Sequence, residues 1–100
     1  MQKWIGLAHV KPLSSNRLLE GGMGAFVPVV GMFPTQEEFV SAVCSVLEAM
    51  EFAVPEIEDI ETWDSRSRAF PVDEQIQALV RSLRPDNPVE LGPFHTYRRE

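Results

Sequence analysis

The chain has 100 residues, of which 44% are hydrophobic and 24% are charged, and its formal net charge is −6. This composition is ordinary for one globular domain and excludes a chain that is disordered throughout. A single cysteine excludes an intramolecular disulfide, residues 1–10 lack the apolar run of a signal peptide, and no stretch is apolar enough to span a membrane. We therefore expect a single domain over residues 1–100 that works in the cytoplasm and has no membrane partner.

The first third of the chain predicts two strands separated by a long connection. Residues 3–11 carry apolar side chains on both faces, which is typical of a central strand, and Pro12 should end it. Residues 13–24 contain three glycines and are expected to form a mobile loop. In the second strand, residues 25–33, Pro28 favours either an edge position or a site that needs no backbone hydrogen bond.

A helix is predicted immediately after these strands. Thr35 is a suitable N-cap, and Glu38, three residues later, completes a capping box. The apolar residues that follow recur at steps of three and four, so the helix should lie flat on a sheet. This stripe consists of Phe39, Val40, Val43, Cys44, Val46, Leu47 and Met50.

Residues 52–63 predict a third strand whose apolar positions lose their regular alternation. The irregular spacing indicates a bulge, either near Pro55 or between Glu58 and Asp59. Residues 64–71 are expected to form a loop that carries two arginines.

The last third predicts a second helix and a fourth strand. Asp73 is a suitable N-cap for an amphipathic helix that runs to about Arg84. Residues 89–97 predict the final strand. The expected fold is therefore α+β, in the order β-β-α-β-α-β, with a four-stranded mixed or antiparallel sheet and both helices packed on one face.

Residues 51–64, which we call the acidic segment, carry six of the chain's 15 acidic residues and no basic residue. The rest of the chain has nine acids and nine bases, so the whole net charge belongs to this segment. A concentrated negative surface favours a basic protein partner and repels polyanions. The predicted partner-binding residues are Glu56, Glu58, Asp59, Glu61, Trp63 and Asp64, with Trp63 and Phe52 as possible aromatic anchors.

The acidic segment is open to two other interpretations. The first is a solvated strand face that serves only solubility. The second is a site for a hard cation, which needs several oxygens at one point; the EF-hand pattern is absent, so we expect no metal.

Catalytic and cofactor signatures are absent from the sequence. His9, Cys44 and His95 are the only evident nucleophile or base candidates, and their positions give no reason for them to meet. Residues 21–24, Gly-Gly-Met-Gly, lack the Lys-Ser/Thr of a phosphate loop and precede a strand instead of a helix. An acidic chain is also a poor partner for a phosphate backbone, so we expect no cofactor and no nucleic acid.

The stretch GAFVPVVG, followed after two residues by PTQEEFVSAVCSVLEAMEFAVPEIEDIE, resembles a pattern found in small uncharacterised bacterial α+β proteins. In that pattern a hydrophobic strand leads into a capped helix that begins with EEF, and an acidic strand follows. Some proteins of this type are immunity proteins, which neutralise a toxin by binding it. This chain departs from the pattern at Glu51-Phe52, where a glycine usually ends the helix.

We thus expect a non-enzymatic protein-binding module, immunity- or adaptor-like, that binds through residues 56–64 of the acidic segment. The alternative is a small metabolite-binding domain or an enzyme, with its pocket under the loop at residues 13–24. A third possibility is a homodimer formed by edge pairing of the second or fourth strand.

Overall fold

The computed structural model of the protein describes residues 1–13, 23–71 and 73–97, and these contain five strands and three helices. The predicted loop at 13–24 therefore lies mostly outside the described residues. The strands are β1 (Gln2–Pro12), β2 (Gly24–Phe33), β3 (Phe52–Thr62), β4 (Val89–Leu91) and β5 (His95–Tyr97). The helices are α1 (Gln36–Ala49), α2 (Trp63–Ala69) and α3 (Glu74–Arg81). The predicted α+β class is confirmed.

All pairings in the sheet are antiparallel, and the strand order is β3-β1-β2-β4, with β5 also paired to β2. β1 lies between β2 and β3, so the prediction of a central first strand is confirmed. β2 has neighbours on both sides, so it offers no free edge for the dimer considered above. β4 lies at an edge but is only three residues long.

The predicted count of four strands is wrong because the segment at 89–97 forms two short strands. Gly92 N–H donates to the Pro28 carbonyl oxygen at 2.7 Å, which places Pro28 opposite the break between β4 and β5. The N and O atoms of a strand residue point to the same side, and proline has no N–H to donate. Pro28 thus occupies a site that needs no backbone donor, as the second of its two sequence interpretations expects.

The expectation that both helices share one face of the sheet is also wrong. Val29 packs with α1 in one buried cluster, whereas Val30 packs with α3 in another. Neighbouring residues of a strand point to opposite faces, so α1 and α3 lie on opposite sides of the sheet. Apolar residues on both faces of β1 and β2 give each helix a surface to cover.

α1 covers the larger of the two cores. Thr35 caps it as predicted, with its Oγ1 accepting from Glu38 N–H at 3.2 Å. Phe39 is fully buried and lies over Gly31 of β2, where a Cβ atom would come within 2.6 Å of the ring. The absence of a side chain at Gly31 therefore gives the Phe39 ring its place on the sheet.

The loop predicted at 64–71 is wrong, because residues 63–69 form α2. Thr62 is its N-cap, and the Thr62 Oγ1 accepts from Ser65 N–H at 3.2 Å. A threonine at the end of a strand looks like another strand residue, which hides its capping role. Asp73 caps α3 as predicted, but α3 ends at Arg81, with Ser82 as its C-cap, before Arg84.

α1 ends without the usual glycine. Its C-cap is Met50, and Glu51, the next residue, has φ of 65° in the left-handed region. Residues with a Cβ atom pay an energetic cost there that glycine avoids. The backbone is therefore strained at Glu51, where the chain departs from the resembled pattern.

The substitution Gly31→Ala should lower the free energy of unfolding by about 1–3 kcal/mol, the usual cost of overpacking a core. The new methyl group would lie 2.6 Å from Phe39 Cδ1, so the ring must move. Urea unfolding measures the change. Gly6→Ala is the control: its nearest contact would be the Ile57 methyl group at 3.1 Å. Equal costs for both variants would contradict the assigned role of Gly31.

The variant Glu51→Gly should be more stable than Glu51→Ala by about 1 kcal/mol, because only glycine relieves the left-handed backbone. Both variants lack the carboxylate, so their difference isolates the backbone term. Thermal or urea unfolding provides the comparison. If the alanine variant is as stable as the glycine variant, residue 51 carries no conformational strain.

Candidate functional site

The acidic segment occupies β3, the outer strand of the sheet, and two bulges set its register. Ile5 and Leu7 are two residues apart on β1, but their partners Glu61 and Glu58 are three apart on β3. The same shift recurs further along, around Pro55. The sequence indicated one bulge at either of two alternative positions, and the structure has a bulge at both.

Each bulge adds one residue to β3. The extra residue reverses the alternation of the strand, so the side chains that follow point to the opposite face from the one they would otherwise occupy. Ile57 and Ile60 both pack against the core under α1. Glu56, Glu58 and Glu61 pair with β1 residues whose side chains point away from α1. Three carboxylates of the acidic segment therefore share the face that also carries α3.

Two of the predicted partner-binding acids already have basic neighbours. Glu61 lies 3.7 Å from Arg66, and Asp64, which belongs to α2 and not to the strand, lies 3.2 Å from Arg68. The Arg68–Asp64 pair is largely solvated and the Arg66–Glu61 pair is partly exposed, so each contributes little to stability. They nevertheless offset part of the negative charge at this end of β3.

Glu56, Glu58 and Asp59 form the remaining group, which we call the acidic edge. All three are exposed, and none forms an ion pair with any residue in the described ranges. Asp59 has φ of 54°, a left-handed conformation that aspartate tolerates better than most residues. The bulge turns its side chain out of the regular alternation of the strand.

The far side of β3 has no strand partner within the described part of the chain. Such an edge invites pairing with another chain, and proteins discourage this with prolines, bulges and charges. β3 has Pro55, two bulges and the acidic edge. All three features are of the kind that discourages another strand from pairing with this edge.

The two candidate aromatic anchors are not equally accessible. Phe52 is fully buried under α1 and its ring centroid lies 5.3 Å from that of Phe94. Trp63 is half-buried and packs against the cluster of Ile5, Val30 and Val80. Phe52 belongs to the core, and Trp63 presents only part of its ring at the surface.

A cleft of about 300 Å³ opens on the face of the sheet that carries α3. Its floor includes Ile5 and Leu7 of β1 and Pro28 of β2. α3 covers Val30 and Ile5 at one end of this face, and the floor continues beyond the helix. The cleft is thus the part of the apolar sheet surface that no helix covers completely.

The walls of this cleft carry charged and polar groups from four separate segments. Asp59 of the acidic edge and Arg66 of α2 lie on its border. Asp73, the N-cap of α3, also lines it, as do Pro93 and His95 from the start of β5 and the segment before it. Sequence patterns did not indicate this site because its residues are far apart in the chain. The pocket predicted under residues 13–24 lies mostly outside the described residues.

His9 has a structural environment. Its ring stacks on Phe26 at 4.8 Å between centroids, and its Nε2 lies 2.5 Å from the Tyr97 hydroxyl oxygen in a hydrogen bond. His95 pairs with Phe26 from the other side, on β5. The two histidines therefore lie on the same face with Phe26 between them, a proximity that the sequence did not indicate.

Cys44 lies on α1 and is partly exposed. Burial, and to a lesser degree the charge of Glu48, raises the pKa of its thiol above the ordinary value. The reactive thiolate form is therefore disfavoured. Among the described residues, no three histidine, cysteine or acidic side chains are placed to share a metal ion.

No helix in the described ranges is both long enough and apolar enough to cross a membrane. Comparison with protein-family models, curated protein sequences and solved structures found no match to this chain.

Alkylation of Cys44 by iodoacetamide at pH 8.5 should be slower in the folded protein than in urea, because folding raises the thiol pKa. Glu48→Gln removes the smaller cause and should increase the folded-state rate modestly. The same shift predicts that the thiol's contribution to stability is lost as the pH rises from the unfolded pKa through the higher folded pKa. Equal alkylation rates with and without urea would contradict the assignment.

Proposed function

We propose that this protein is a small non-enzymatic binding module, immunity- or adaptor-like, that captures a protein with a basic surface through its acidic edge. The observation that carries the proposal is the exposure of Glu56, Glu58 and Asp59 without an ion-pair partner among the described residues. Negative charge held in this way accelerates encounter with a basic partner and rejects polyanions. A reducing compartment such as the cytoplasm suits a module with one cysteine.

The mode of contact follows from the shape of β3. Pro55 and the two bulges interrupt the regular hydrogen-bonding edge, so strand addition is disfavoured. We therefore infer docking through side chains, with lysine or arginine of the partner meeting the acidic edge. Glu61 and Asp64 are secondary in this scheme because Arg66 and Arg68 compete for them. Trp63 contributes only through its exposed part.

The alternative function, a metabolite-binding domain, is favoured by one observation. The cleft beside α3 has an apolar floor and a few polar groups at its border, which is the usual construction of a small-molecule site. This site is separate enough from the acidic edge to be tested independently.

Neutralising the acidic edge should abolish capture of a basic partner. We expect Glu56→Gln/Glu58→Gln to lose proteins that the wild-type protein retains in an affinity capture from its own cells. Glu48→Gln/Asp86→Asn changes the charge equally at other exposed positions and should retain them. Mass spectrometry of the three captures provides the comparison.

The captured complex should also weaken with salt, because contacts between exposed charges are screened within about 8–10 Å at physiological ionic strength. Binding kinetics measured across a salt series should show the loss mainly in the association rate. Identical protein sets on all three baits, or capture that is insensitive to salt, would refute the acidic edge as the contact surface.

A further inference from the structure

The cleft beside α3 has a definite electrostatic character. Two carboxylates, those of Asp59 and Asp73, line it. Among the described residues that line it, Arg66 supplies a guanidinium, which lies 3.7 Å from the Glu61 carboxylate and 5.0 Å from the centre of the Phe70 ring. When Glu61 is counted with Arg66, three carboxylates and one guanidinium lie at the cleft among the described residues, so its charge is net negative.

Asp73 retains one oxygen for a ligand. Its Oδ1 accepts both capping hydrogen bonds, from Gln75 N–H at 2.8 Å and Ile76 N–H at 3.1 Å. No hydrogen bond from the described residues reaches Oδ2. The capping contacts also fix the side chain, so its free oxygen is held in place before a ligand arrives.

Asp59 is held in a different way. Its left-handed backbone conformation at the bulge directs its side chain out of the strand pattern and to the border of the cleft. It makes no ion pair with a described residue. Its carboxylate is therefore available to a cation, although water surrounds it in the free protein.

The floor of the cleft favours a ligand that has an apolar part. Ile5, Leu7 and Pro28 present hydrocarbon, and Ile76 and Pro93 add to it from the sides. A volume of about 300 Å³ suits a molecule of small-metabolite size and is at the lower limit of ordinary ligand pockets. An anion would be repelled by two carboxylates that make no ion pair with a described residue, whereas a cation would be attracted to both.

We propose that this cleft binds a small organic amine, with its ammonium group at Asp59 and Asp73 and its apolar part on the floor formed by Ile5, Leu7 and Pro28. The juxtaposition of these two aspartates with uncovered apolar sheet surface carries the inference. The cleft shares Asp59 with the acidic edge, but Asp73 and the cleft floor lie outside that edge, so the variant Glu56→Gln/Glu58→Gln leaves the proposed amine site intact.

Phenethylamine and phenylacetate form a matched pair of probes, since they have similar size and shape but opposite charge at pH 7. Titration into ¹⁵N- and methyl-labelled protein, followed by NMR, reports both affinity and location. We expect saturable shifts with phenethylamine, with a dissociation constant on the order of 1 mM for so small a ligand. The shifts should concentrate at Ile5, Gly6, Leu7 and Ile76.

The variant Asp59→Asn/Asp73→Asn tests the carboxylates with little risk to the fold. Asparagine caps helices as well as aspartate does and also tolerates the left-handed backbone. The double variant should weaken phenethylamine binding roughly tenfold or more, since it removes both charge-assisted contacts. Glu48→Gln/Asp86→Asn, with the same change of charge elsewhere, should bind as the wild type does.

Three results with the wild-type protein would overturn the proposal. They are tighter binding of phenylacetate than of phenethylamine, amine shifts that lie outside the cleft, and no saturable shift up to roughly ten times the expected constant. Retention of amine binding by Asp59→Asn/Asp73→Asn would overturn it as well. Loss of partner capture in Glu56→Gln/Glu58→Gln bears only on the acidic edge, so the two proposals fail separately.

Discussion

The register of β3 against β1 is the constraint on which the rest of the molecule depends. In a strand whose apolar side chains occur at every second position, a slip of one residue in the pairing turns all of them to the wrong face. β3 contains two such slips, and each is absorbed by a bulge. The result keeps Ile57 and Ile60 under α1 and sends Glu56 and Glu58 to the other face. The position of the charge and the integrity of the core thus have the same cause.

The two faces of the sheet are covered unequally, and this asymmetry concentrates the candidate functions on one side. α1 covers a continuous core that includes Phe39, Leu47 and Phe52, all fully buried. The shorter α3 covers Val30 and Ile5, with α2 beside it. Beyond these helices lie the cleft, the aromatic pair of His9 and Tyr97, and the glutamates of β3. The groups with chemistry to offer are therefore on the less covered face.

Local signals in the sequence predicted local structure well. Thr35 with Glu38 marked the start of α1, Asp73 marked the start of α3, and the spacing of the isoleucines indicated the bulges. In each case neighbouring residues carry the whole determinant, such as a capping hydrogen bond or a change of side-chain period. Thr62 was missed because its β-branched side chain suits a strand as well as a cap.

Features set by distant residues were not predictable in this way. The division of α1 and α3 between opposite faces depends on how Val29 and Val30 alternate in a strand buried on both sides, where periodicity has no preferred face. The pairing of Glu61 with Arg66 required α2, which the sequence did not indicate. Likewise, Leu7, Pro28, Asp73 and His95 meet at the cleft only after the strands and helices have assembled.

The interruption at Pro28 has a consequence for motion. β4 and β5 pair with β2 as two separate three-residue strands. Because they do not form one continuous ladder, the hydrogen bonds of one strand do not stabilise the other. Short elements with few backbone bonds open at lower free energy than the sheet centre. His95, which lines one wall of the cleft, belongs to β5, one of these short strands. Local opening of such a strand can therefore widen the entrance of the cleft while β1, β2 and the residues beneath α1 keep their structure. Flexibility is then confined to the rim, and the scaffold stays rigid.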